Sequence, residues 1–139
     1  MDEIVRIVIH HAGGSINRDH TAEALARLHV RSNGWPGIGY HFLVHWDGTI
    51  EYVGDLGTSR AHVGNINRES VGICIPGNFQ HERPPAAAIA ATRRCIAAVR
   101  LCCGAVPVVG HRDVAHLTGY GPTSCPGDTW EQWRAEVAA

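Results

Sequence analysis

Lysine is absent from this chain. All 12 basic residues are arginine, which excludes a lysine Schiff base or any other lysine-assisted mechanism. No apolar run approaches the ~18 residues that a membrane-spanning helix requires. An excess of charge of either sign is also missing. The 13 acidic residues nearly cancel the basic ones, for a net charge of −1, which argues against nucleic acid or an anionic membrane as the main partner. No C-x-x-C pair occurs, so zinc ribbons and thioredoxin-type redox motifs are excluded. No H-E-x-x-H occurs, so the metalloprotease glutamate is not available as a general base. The start, Met1-Asp2-Glu3-Ile4, is acidic and enters a strand-like pattern at once. It lacks the basic start and apolar stretch of a secretory signal.

What is present describes an ordinary globule. The chain has 139 residues, 45% apolar and 18% charged, enough to build one core, and residues 1–139 are expected to form a single domain. The five cysteines make an odd number. Cys74, Cys95, Cys102 and Cys103 read as small buried hydrophobes, and the adjacent Cys102 and Cys103 cannot easily pair with each other. Cys125 stands apart in an irregular segment. The 10 histidines are many for this length. Imidazole is the commonest metal ligand, so their number makes metal chemistry worth testing.

The pattern along the chain alternates strands and helices. Ile4 to Ile9 is a β-branched run and reads as a buried strand. Asp19 can cap a helix to about Arg31, with Ala22, Leu25, Leu28 and His29 facing inward. Residues 40–46 and 49–53 form strand-like runs joined by Asp47-Gly48, a hairpin signal. Residues 54–69 read as a polar loop and Val71 to Ile75 as a buried strand. Pro85 can open a long Ala-rich helix to about Cys102, closed by Gly104. Val106 to Val109 is a short strand, and residues 110–127 show no periodicity. Asp128 with Glu131 resembles a capping box for a last helix. The order predicts an α/β (α+β) fold with a central mixed β-sheet flanked by about three helices. The hairpin forces at least one antiparallel pairing.

One constellation carries chemistry. His10 ends the first strand pattern, His111 follows the last one after Gly110, and Cys125 lies fourteen positions further on. Side chains at strand ends of open α/β sheets converge on one crevice. Two imidazoles and a thiolate, with a fourth position kept for water, form a catalytic zinc set. Such donors suit zinc better than magnesium or calcium. Spacing alone leaves the other reading open, a pair of ordinary loop histidines and an inert thiol.

Eight fragments in order extend the picture: Ile7-Val8-Ile9-His10-His11, Gly39-Tyr40-His41-Phe42-Leu43-Val44, Asp47-Gly48-Thr49, Ala61-His62-Val63-Gly64-Asn65-Ile66-Asn67, Ser70-Val71-Gly72-Ile73, Gly77-Asn78-Phe79, Gly110-His111-Arg112-Asp113 and Cys125-Pro126-Gly127-Asp128. Together they resemble the zinc-dependent N-acetylmuramoyl-L-alanine amidases of the phage lysozyme type and the related peptidoglycan recognition proteins, from about residue 4 to 134. The resemblance implies Zn2+ held by His10, His111 and Cys125. It places the family's catalytic tyrosine on Tyr40 and a second catalytic position, two residues before the cysteine, on Thr123. The stretch from His111 to Cys125 is longer than in some relatives, so the placement on Thr123 requires His116 to Gly121 to bulge out. His62 and Asn67 match groove positions, although as loop residues they could equally bond their own backbone. Gly34-Trp35 resembles the pair associated with diaminopimelate-type stem peptides, and Trp35 could equally pack its loop.

The implied reaction is hydrolysis of the amide between the lactyl group of N-acetylmuramic acid and L-alanine of the stem peptide, by a monomer acting on peptidoglycan. Tyr40, with Thr123, would donate to the developing oxyanion. Adjacent strand residues point to opposite faces, so only one of His10 and His11 can aim at the ion, and His10 is chosen by resemblance. Two other classes compete. Some recognition proteins bind peptidoglycan without cutting it and typically lack the cysteine. A thiol hydrolase would use Cys125, His111 and Asp113. A phage endolysin, an excised catalytic domain and a recycling amidase all fit the chain.

Overall fold

A computed structural model describes residues 1–138. Its centre is a five-stranded mixed sheet in the order β3-β2-β4-β1-β5. The strands are β1 (Arg6–His11), β2 (Phe42–Val44), β3 (Ile50–Tyr52), β4 (Ser70–Ile75) and β5 (Val108–Gly110). β1 runs parallel to both β4 and β5, and β2 runs parallel to β4. Among the strand pairs described, only the β2–β3 hairpin is antiparallel, as Asp47-Gly48 requires. β1 and β4 lie inside the sheet with a neighbour on each side, which is why both read as near-continuous apolar runs.

The helices are α1 (Ala22–Ala26, continued by a π-helical turn Arg27–Ser32), α2 (Ala86–Cys103), α3 (His111–Thr118) and α4 (Trp130–Ala138), with a 3-10 segment at Gly64–Glu69. None of the helices described is long and apolar enough to cross a membrane. The alternation of β1 divides them into two layers. Ile7 and Ile9 pack with Ile96 and Val99 of α2 and with Trp130, Trp133 and Val137 of α4. Val8 packs on the other face with Val63, Ile66 and Val114. The Trp130 and Trp133 rings meet edge-to-face, centroids 4.7 Å apart, and both are fully buried. Truncating either to alanine would cost about 3–5 kcal/mol.

Several sequence expectations need correction. α3 lies in a stretch without apparent periodicity. It is only eight residues long, too short for a repeating apolar stripe to stand out. Its turn buries Val114, Ala115 and Thr118. The polar stretch before β4 contains the 3-10 segment, anchored by the single apolar residue Ile66. Leu28 is not buried but 38% exposed, and Cys102 is exposed rather than core. Pro85 is the N-cap of α2, outside its first turn. Before α4 the Asp128 N–H donates to Gln80 Oε1 at 2.9 Å rather than to Glu131, whose carboxylate pairs with Arg134.

Asp19 does not cap α1. Thr21 does, accepting the Ala24 N–H at 3.1 Å. Asp19 instead reaches the hairpin, where its carboxylate meets His45 Nδ1 at 2.8 Å and accepts the Trp46 N–H at 3.1 Å. Glu51 takes the other ring nitrogen at 2.5 Å. Burial pulls the His45 pKa down, but the hydrogen bonds and charges of Asp19 and Glu51 outweigh it and the net shift is upward. A raised imidazole pKa stabilises the fold while the ring is charged. This contribution is complete below the unfolded value of about 6.5 and fades as pH rises through the folded value. His45→Gln is therefore expected to lower the Tm at pH 5.5 and to lower it less at pH 8.5, as read by thermal denaturation. An equal loss at both pH values would show that the pair of carboxylates does not act through the His45 charge.

Candidate active site

Strand register builds the site. In the β1–β5 ladder Ile9 stands opposite Gly110, so the next residues, His10 and His111, leave the ladder side by side. Their ring centroids are 4.9 Å apart. His10 shares the face of Val8, toward α3. His11 points to the opposite face, where its Nδ1 accepts the Phe79 N–H at 3.0 Å. The alternation thus admits His10 to the cluster and gives His11 a scaffold role.

His111 is held by the sharp turn from β5 into α3. The Asp113 carboxylate accepts the Gly110 N–H at 2.7 Å and the Trp130 indole N–H at 2.9 Å. Gly110 has to be glycine, since a Cβ there would lie 2.7 Å from Trp130 Nε1 and 2.9 Å from Pro126 Cδ. Cys125 is tied to the same turn by the Arg112 N–H, which donates to its carbonyl at 2.7 Å. The Thr123 hydroxyl oxygen accepts the Cys125 N–H at 3.2 Å.

These constraints bring three side chains from distant segments together. One donor atom each from His10, His111 and Cys125 lies within 4.8 Å of the others. His10 Nδ1 and Cys125 Sγ are 3.6 Å apart. In a tetrahedral zinc site, Zn–N bonds of about 2.05 Å and Zn–S bonds of about 2.3 Å give an N···S edge of about 3.6 Å. The donor set and its spacing therefore fit zinc.

Burial sets the protonation of the cluster. It holds His10 well below the ordinary imidazole value, aided by the neighbouring His62, His111 and His11. It also lowers His111. Both shifts favour the neutral ring, which offers a lone pair. Burial pushes the Cys125 thiol up to about 12. It likewise holds the Tyr40 phenol well above its usual range, with help from the Cys74 and Cys125 thiols. Tyr40 is therefore an O–H donor. A thiol hydrolase is not favoured, since Cys125 is no ready thiolate and Asp113 bonds Gly110 and Trp130.

The cluster forms the floor of a cavity of about 370 Å3 whose lining includes Tyr40, Thr123, Trp35 and His62. A second cavity of about 330 Å3 adjoins it, sharing Trp35, His62 and His111 and adding Asn67 and Tyr120. Trp35 also packs its loop. Its ring lies 4.6 Å from that of His29 and leaves no room for a Cβ on Gly39, which would come within 2.8 Å. His29 in turn accepts the Gly39 N–H at 2.9 Å, which holds the chain just before Tyr40. The Asn67 Oδ1 accepts the N–H groups of His62 and Val63 at 3.0 and 2.7 Å, so its oxygen serves its own loop. Tyr120 was not anticipated. It follows α3, whose last residues His116–Thr118 are helical with Thr118 buried, and after Gly119 in the left-handed region it stands 85% exposed at the groove edge. An aromatic between two glycines was the available signal.

The family model for N-acetylmuramoyl-L-alanine amidase (Amidase_2) matches residues 1–128. The chain belongs to this family. Peptidoglycan recognition protein 1 of Bos taurus is 33% identical over 136 residues, covering 88% of this chain, which spans 66% of that relative's length. The endolysin of Klebsiella phage KP32 is 26% identical, with 94% of this chain and 85% of the endolysin covered. Among solved structures, the N-acetylmuramoyl-L-alanine amidase LysC from Clostridium intestinale superposes with a TM-score of 0.81 at 25% identity, covering 97% of this chain and 85% of that one. A Drosophila PGRP-LB variant in complex with tracheal cytotoxin gives a TM-score of 0.79 at 26% identity, over 92% of this chain and 78% of the other. The two solved structures share the fold described above.

The protein is expected to bind one zinc ion per chain in a chelator-competition titration. Loss of a supporting contact to a metal ligand typically costs 10–100-fold in affinity, so removing a ligand in Cys125→Ala should cost about 100-fold or more. Unchanged affinity in that variant would place the ion elsewhere.

Proposed function

We propose that this chain is a zinc-dependent amidase that cleaves the bond between the lactyl group of N-acetylmuramic acid and L-alanine of peptidoglycan stem peptides. The observation that carries the reading is the 3.6 Å approach of His10 Nδ1 to Cys125 Sγ beside His111, at the floor of a groove that also presents Tyr40. Family membership supplies the substrate class. Zinc in a site of this kind polarises a carbonyl and furnishes a nucleophilic water at neutral pH.

The chain's own residues do the remainder. His10, His111 and Cys125 would hold the ion, and all three line the same cavity as Tyr40 and Thr123. Tyr40, kept protonated, donates its O–H to the negative charge that develops on the amide oxygen. Thr123 uses its oxygen for the Cys125 N–H and retains its own hydroxyl hydrogen to donate into the same cavity. The groove from Trp35 to Tyr120 accommodates the glycan and the stem peptide.

A peptidoglycan-binding module without catalysis is the other reading, and the recognition proteins among the relatives favour it. The complete His-His-Cys donor set together with Tyr40 supports the enzyme instead. Mass spectrometry of digested sacculi separates the two. The amidase is expected to yield glycan strands free of stem peptides and peptides with a free L-alanine amine. Sacculi that are bound but chemically intact contradict it. Tyr40→Phe removes one donor and is expected to lower kcat by about 100-fold or more, with zinc content unchanged. Full activity in that variant would remove Tyr40 from the reaction.

A further inference from the structure

We infer that His62 is a positioning residue of the metal centre: its Nδ1 accepts the Nε2–H of His10 and so turns the His10 Nδ1 lone pair toward Cys125. The inference rests on His10 being a metal ligand. It assigns His62 to the support of that ligand, whereas the sequence placed it among the substrate contacts.

The hydrogen bonds leave one consistent assignment. His62 Nε2 lies 3.2 Å from the Ser70 carbonyl. A carbonyl only accepts, so the hydrogen of His62 sits on Nε2. An imidazole with its hydrogen on Nε2 presents Nδ1 as a bare acceptor. The 2.9 Å contact between His62 Nδ1 and His10 Nε2 then requires the His10 hydrogen on Nε2. With that hydrogen on Nε2, the His10 nitrogen left to bind a metal is Nδ1, the atom 3.6 Å from Cys125 Sγ. Without a partner, either imidazole nitrogen can carry the hydrogen.

The scaffold beneath His62 is built to hold this ring. Asn67 fixes its backbone through the 3.0 Å bond to the His62 N–H. Its ring lies on Gly72 of β4, where a Cβ would come within 2.8 Å of Nδ1. The His41 ring stands edge-on to it, centroids 5.8 Å apart. Only 8% of His62 is exposed, and both of its ring nitrogens face protein partners. A chain of contacts thus runs from the Ser70 carbonyl through His62 to the metal-facing nitrogen of His10.

The test measures zinc and protons without substrate. In zinc-free protein, 15N NMR of the histidine rings is expected to show His10 with its hydrogen on Nε2 and His62 likewise. His62→Phe keeps a ring and deletes the acceptor. It is expected to bind zinc about 10–100-fold more weakly than the unmodified protein in chelator competition. His62→Asn, whose carbonyl oxygen falls near the Nδ1 position, is expected to recover most of that loss. A hydrogen on His10 Nδ1, or equal zinc affinity in His62→Phe with a raised KM, overturns the inference and returns His62 to the substrate. The NMR arm decides the matter even where the phenylalanine variant folds poorly. Unmodified protein that binds no zinc while His10 keeps its hydrogen on Nε2 would contradict the metal reading itself rather than the His62–His10 bond.

Discussion

The site depends on the register of two parallel strands. Ile9 pairs with Gly110 across the β1–β5 ladder, and parallel neighbours stand about 4.8 Å apart. The residues that follow, His10 and His111, therefore leave the sheet as neighbours. A slip of one residue would exchange the faces of β1, sending His10 toward α2 and α4 and Val8 out of its cluster with Val63, Ile66 and Val114. The apolar alternation that fills the core is thus the same constraint that aims the imidazole. The Asp113 carboxylate, taking the Gly110 and Trp130 N–H groups, adds the sharp turn that keeps His111 at the ladder's end.

Desolvation then divides the cluster by chemistry. It favours the uncharged form of every group, which readies the imidazoles and holds back the thiol and the phenol. Neutral His10 and His111 can donate lone pairs at once. Cys125 would have to give up its proton to bind a cation, which would couple metal uptake to proton release there. Tyr40 remains a donor. One physical cause leaves two bases, one latent thiolate and one acid around a single small cavity.

Much of this was legible in the sequence. The β-branched runs of β1 and β4, the Asp47-Gly48 turn and the Ala-rich α2 declared themselves by local pattern. His10, His111 and Cys125 stood out as strand-end and loop donors, and the ordered fragments tied them together. What escaped depended on tertiary contacts. α3 is only eight residues long, so no stripe marked it. Asp19 looked like a helix cap but meets His45, a partner twenty-six residues away that no local rule could supply. Asn67 lines the groove and its oxygen also closes its own loop, a contact that the sequence left open. Cys102 looked apolar enough for the core but falls on the outer face of α2.

Zinc K-edge X-ray absorption of the loaded protein tests the central claim most directly. The account predicts one sulfur at about 2.3 Å and three nitrogen or oxygen neighbours at about 2.0–2.1 Å, with the sulfur shell lost in Cys125→Ser. A sulfur-free shell in the unmodified protein, or one with two or more sulfurs, would contradict it.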